Sequence, residues 1–202
     1  MAKKWMRTAA AIALVWCGVQ AAPLAQQPAP SYDVTVAWIS SEFPNFGGPT
    51  LSGSQIPSRY IFQSMDGCVL QFTQVYSFTQ LTYDASSGRN LPNTYTYHNI
   101  ARIELAKANV SIFENPNSGG GYDRSVTFSS PTQAFTVDTE ITTTVEIDMS
   151  AYTGIKHVNH MGIQLNRTDQ DNADLLPRVQ KAFQNAITIC KAQAQAESNE
   201  PF

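Results

Sequence analysis

Three histidines are the first residues to weigh for chemistry. His157 and His160 stand three apart in His157-Val158-Asn159-His160, and His98 could act with them as a third ligand. Neutral imidazole is a common ligand for zinc and related ions. The surroundings are strand-like, however, and residues three apart on a strand point to opposite faces, so the pair converges only through a turn. The sequence therefore predicts surface histidines at a strand entrance, with no metal and no cofactor. Asp169-Gln170-Asp171-Asn172-Ala173-Asp174 is rich in oxygen ligands. A hand-type calcium loop needs an oxygen ligand at its fifth position, Gly at its sixth and Glu at its twelfth. Ala173, Asp174 and Gln180 occupy those positions, so the cluster is expected to cap a helix.

Nucleophilic chemistry finds no frame. There is no Gly-x-Ser-x-Gly elbow and no glycine-rich loop ending in Lys-Ser or Lys-Thr. Asp33, Asp66, Glu114 and Asp123 are scattered among expected turns and strand ends as solvated charge, and no residue is assigned a catalytic role. Tyr95 and Tyr97 share a strand face, with Tyr83 and Tyr122 in neighbouring turns. Tyr95, Tyr97 and Tyr122 thus form a candidate binding patch for a protein or carbohydrate. The competing expectation is that they line one wall of the core.

What must position these groups is an exported chain. Of 202 residues only 14% are charged and 43% are apolar, with Trp, Tyr and Phe numbering 3, 8 and 10. That is enough surface for one core and too short a chain for two full domains. Lys3, Lys4 and Arg7 precede an uncharged apolar run over 9–19, followed by Val19-Gln20-Ala21. This is the layout of a secretory signal over 1–21, cut after Ala21 or, as near alternatives, Ala22 or Ala25. The apolar run is too short to span a membrane. Bulky Trp16 before Cys17 argues against a lipoprotein signal. Removing the signal leaves 10 of 13 basic residues against all 16 acidic ones, so the formal charge falls from −3 to −6. Nucleic acid is thereby disfavoured as a partner, and no integral membrane segment is expected in the mature chain.

Cys68 and Cys190 remain, and in an oxidising compartment only one pairing exists. Cys68, Leu70, Phe72 and Tyr76 fall on one face of an expected strand. Cys190 falls on a helical face with Leu176, Val179, Phe183, Ala186 and Ile187. A bridge between them would stabilise the fold by roughly 4–5 kcal/mol on the chain-entropy model. Two buried reduced thiols are the alternative.

The mature N-terminus, 22–31, reads as flexible and 197–202 as a disordered tail, leaving a single domain over 32–196. Within it Tyr32, Val34, Val36 and Trp38 alternate as a strand. Further strands are expected over 59–63 and 68–78, with a turn at Met65-Asp66-Gly67. Others follow over 94–105, 109–114, 125–129, 134–147 and 158–165. One helix is expected over 174–195, with Pro177 tolerated in its first turn. The expected fold is α+β: a strongly bent antiparallel sheet or open β-roll of about seven strands, closed by one C-terminal amphipathic helix.

This order resembles the pleckstrin-homology-like roll. It also resembles uncharacterised exported bacterial proteins that pair an Asp-Gly-Cys strand with an Ala-Phe-x-x-Ala-Ile-x-x-Cys helix. Here those motifs are Asp66-Gly67-Cys68 and Ala182-Phe183-Gln184-Asn185-Ala186-Ile187-Thr188-Ile189-Cys190. The resemblance covers about 32–195 and implies a binding or scaffold module. The expectation is an exported, periplasmic or extracellular, non-enzymatic module of the cell envelope, binding an unidentified protein or envelope component. A secreted or periplasmic hydrolase is one alternative. It predicts at least three ionisable side chains in contact in a concave pocket, among them one of His98, His157 and His160. A carrier of lipid or a small apolar ligand is the other, and it predicts an apolar cavity open to solvent.

Overall fold

The computed structural model describes residues 29–48, 55–116, 122–144, 149–165 and 174–199. The signal with Cys17, its cleavage positions at Ala21 and Ala22, and the acidic run 169–173 lie outside the described residues.

Ser31 starts the first element. Its Oγ accepts from the Val34 N–H at 3.4 Å, and Asp33 lies in the first turn of helix α1, Tyr32–Glu42. The strand expected over 32–38 is therefore corrected to a helix. Thr35, Ile39 and Phe43 recur every four residues and are all buried, and this spacing overrides the alternation of Tyr32, Val34, Val36 and Trp38.

Strands β1 (Gly47–Gly48), β2 (Gln55–Asp66), β3 (Val69–Asp84), β4 (Arg89–Glu104), β5 (Asn109–Pro116), β6 (Tyr122–Ser129), β7 (Phe135–Thr143), β8 (Gly154–Val158) and β9 (His160–Gln164) follow. They form two antiparallel sheets. The larger has the order β1-β2-β3-β4-β7-β8, and the smaller β5-β6-β9. Helix α2, Leu175–Ser198, ends the described chain, so residues 197 and 198 are helical rather than tail. The fold is α+β, as expected, and the sheets do not close into a barrel.

The chain crosses between the sheets at Leu105–Lys107, in the loop from β6 to β7, and at Asn159. The strand expected over 158–165 is thus divided. Val158 ends the large sheet, and His160 begins the small one. At the opposite side a bridge from Phe46 to Leu165 ties the β1 edge to the β9 edge.

Gly67 and Cys68 form the two-residue turn between β2 and β3, with φ of 54° and 61°. Paired positive φ values match the right-handed twist of a hairpin. Cys68 therefore lies in the turn, not in the strand with Leu70 and Phe72 as expected. From there it bridges Cys190 on α2, with Cα atoms 5.6 Å apart.

α2 buries the face predicted for it: Leu176, Val179, Phe183, Ala186, Ile187 and Cys190. Phe183 meets Phe128 of β6 edge to face at 4.9 Å, and Phe43 meets Phe46, Phe62 and Phe72. The aromatic side chains thus fill the space enclosed by both sheets and both helices. Asn185 docks α1 on α2, its Nδ2 donating to the Pro30 carbonyl and to Thr35 Oγ1. Asp174 precedes α2 with no capping bond from its side chain, so the expected acidic cap is not made by this residue.

Candidate functional site

The histidines are dispersed. His98 stands on the outer face of β4, opposite Val75 and Glu140. His157 lies on β8 opposite Thr136, and His160 on β9 opposite Ser129, in the other sheet. Among the described residues no cluster of three metal-ligating side chains forms.

The tyrosines are drawn together on long strands. β3 and β4 pair without a bulge from Val69 and Glu104 to Asp84 and Arg89, so residues alternate strictly between two faces. On the inner face Leu70 and Ile103, then Phe72 and Ala101, belong to the core. The next rung is polar. Gln74 Nε2 donates to the Tyr60 hydroxyl at 3.1 Å, and Thr139 Oγ1 donates to Asn99 Oδ1 at 2.9 Å. Beyond that rung the face becomes aromatic. Tyr76 stacks on Tyr97 at 4.8 Å, Tyr97 on Phe78 at 5.7 Å, and Phe78 on Tyr95 at 5.2 Å.

None of these four rings joins the contiguous core cluster. Tyr95 is itself covered, at 4% exposure, while Tyr76, Phe78 and Tyr97 are half-buried. The environment splits their acidities. Hydrogen bonding from Thr82, then Gln80, holds the Tyr95 phenol below its ordinary value. Burial pushes Tyr76 and Tyr97 up, and neighbouring phenols, Tyr152 among them, add to the rise at Tyr97.

Of the expected patch, Tyr95 and Tyr97 do share this face. The backbone of Tyr122 pairs with Pro116 in the small sheet, and its side chain lies outside the described atoms. Tyr83 is on β3 rather than in a turn, faces the opposite side, and is 65% exposed beside Leu81. Tyr76 and Phe78 are the members that the sequence reading missed. Their signal was the turn-forming run Ser86-Ser87-Gly88: a regular hairpin folded there sets Tyr76 against Tyr97 and Phe78 against Tyr95.

A groove of about 760 Å³ lies where the chain crosses between the sheets, bounded by the end of β4, the turn at Leu105–Lys107, the start of β5, the loop from β6 to β7, and residues of β7, β8 and α2. Glu104, Lys107, Asn109, His157 and Lys191 line it. Four ionisable side chains, a histidine among them, therefore meet one concavity, as a hydrolase would require. Contact is what they lack: among the described residues only Glu104 and Lys107 touch, as an exposed ion pair. Lys191 Nζ donates to Asn109 Oδ1 at 3.1 Å, and the Thr132 hydroxyl bonds to Ser130 rather than to His157. No helix among the described residues is long and apolar enough to cross a membrane.

Compared with known proteins, the chain matches no family model, no curated protein and no solved structure.

Proposed function

We propose that the protein is an exported, non-enzymatic binding module of the cell envelope, and that its recognition face is the aromatic end of the β3–β4 hairpin. One observation carries this reading. Four stacked rings continue the inner face of the sheet past the polar rung of Gln74, Asn99 and Thr139, outside the core cluster that would otherwise employ them. Aromatic side chains with hydroxyl edges suit a surface that is apolar in its body and wet at its rim, which is the composition of protein recognition patches. Because the ring faces are turned toward one another, the half-buried Tyr76, Phe78 and Tyr97 present edges and the hydroxyls of the two tyrosines, with covered Tyr95 behind them. That favours a protein partner over a sugar stacked flat on a ring.

Export rests on the signal layout of 1–21, and the Cys68–Cys190 bridge suits an oxidising compartment. The likeness to a pleckstrin-homology-like roll belongs to the same proposal, supported by two antiparallel sheets and a closing C-terminal helix. The test is retention of the purified mature chain on the protein-containing envelope fraction of the producing cells. Paired Tyr76→Ala and Tyr97→Ala substitutions should abolish retention while leaving the circular dichroism spectrum unchanged. Undiminished retention would overturn the assignment of this face.

A further inference from the structure

We propose that the groove at the crossovers between the two sheets, lined by Lys107, Lys191 and His157, is a binding site for a small anionic ligand bearing a carboxylate or phosphate. The site is separate from the aromatic face, and it stands or falls without it.

Charge is the first argument. The mature chain carries a formal −6, so its general field repels anions, and an anion site must be built locally. The groove does this with two lysine ammonium groups and an imidazole: Lys107, Lys191 and His157. Glu104 is the one carboxylate in its lining, and Lys107 already pairs with it. Lys191 is held by a neutral acceptor, Asn109 Oδ1, and among the described residues no carboxylate pairs with its ammonium group.

Shape is the second argument. About 760 Å³ falls within the range of pockets that accept small organic ligands. Asn109, Thr132, Gln133 and Thr136 add neutral donors and acceptors around the cations.

Positioning is the third argument. Lys191 follows Cys190 directly on α2, and the 3-10 turn that carries Lys107 begins at Leu105, whose N–H donates to the Cys68 carbonyl at 2.9 Å. The two halves of the Cys68–Cys190 bridge therefore anchor the two lysines. Each sits on backbone that the disulfide fixes, which lowers the ordering cost of binding.

The experiment titrates the folded, oxidised mature protein with three probes: inorganic phosphate, glycerol phosphate and glucuronate. Backbone amide shifts are followed by NMR. The expected result is a saturable, salt-sensitive shift at Lys107, Asn109, His157 and Lys191 with at least one probe. The paired substitution Lys107→Gln and Lys191→Gln should weaken binding about tenfold or more. Glycerol phosphate and glucuronate separate a phosphate from a carboxylate preference. The aromatic pair Tyr76→Ala and Tyr97→Ala should bind the probe as the unmodified protein does. Absence of a saturable shift with all three probes overturns the proposal. So does binding that survives the paired lysine substitution in a protein whose amide spectrum is otherwise unchanged.

Discussion

Removing the Cys68–Cys190 bridge tests two independent features of the turn at once. The bridge spans 122 residues. On the chain-entropy model, a loop of that length takes about 16 cal/mol/K from the unfolded chain, or about 5 kcal/mol at about 25 °C. Cys68 also holds φ of 61°, where a residue with a Cβ is disfavoured by about 1–2 kcal/mol. Two double variants separate these effects. Cys68→Ala with Cys190→Ala loses the cross-link and keeps the crowded turn. Cys68→Gly with Cys190→Ala loses the cross-link and relieves it.

Urea denaturation, followed through the fluorescence of Trp38 on α1, gives both values. The first variant should lose about 5 kcal/mol, a large share of the 5–15 typical of a domain. The second should lose about 1 kcal/mol less, since the added freedom of glycine in the unfolded chain offsets part of the relief. The m-value should rise in both, because the uncrosslinked chain exposes more surface. A loss below about 2 kcal/mol in the first variant would refute the loop argument. Equal stability of the two would refute the left-handed turn.

Three further outcomes follow from the packing. Phe128→Ala, in the core against Phe183, should cost about 3–5 kcal/mol, whereas Tyr97→Ala should cost about 1–2 kcal/mol in the same urea denaturation. Gly47→Ala should be far more damaging than Gly154→Ala. Both positions have positive φ, but a Cβ at Gly47 would lie 2.2 Å from the Ser58 carbonyl oxygen, while one at Gly154 meets nothing within 4 Å. Chemical denaturation should show about 3 kcal/mol for the first and about 1–2 kcal/mol for the second.

Burial raises the Tyr60 phenol above its ordinary value near 10. The folded state then holds this proton more tightly than the unfolded state, so the contribution is whole below about pH 10 and lost as pH climbs through the raised value. Tyr60→Phe should flatten that alkaline loss. At neutral pH it should cost about 1 kcal/mol, because the Gln164 N–H loses its acceptor. Stability against pH, measured in urea, reads both.

Much of this architecture was legible in the residues. The helical face from Leu176 to Cys190 repeats at three and four, and nothing in the tertiary structure competes with it. The pairing of Cys68 with Cys190 follows from their being the two cysteines left once Cys17 is assigned to the signal layout of 1–21. α1 was not legible, because Tyr32, Val34, Val36 and Trp38 satisfy a strand period while Thr35, Ile39 and Phe43 satisfy a helical one. Pattern alone cannot say which set is buried; the Ser31 cap and the dock onto Asn185 decide it. The aromatic row needs the register of a hairpin of two sixteen-residue strands before Tyr76 meets Tyr97. The groove at the crossovers is further still from the sequence, since its lysines come from a 3-10 turn and a helix 84 residues apart in Lys107 and Lys191.

The placement of α2 has a consequence for the order of events during synthesis. Val179, Phe183, Ala186 and Ile187 supply one wall of the interior, and Cys190 supplies one end of the cross-link. All of them leave the ribosome after every strand. A nascent chain that has released all its strands therefore still lacks the helical wall over their apolar side and the partner of Cys68. Until they arrive the apolar side of the sheets has no cover and Cys68 has no partner on α2.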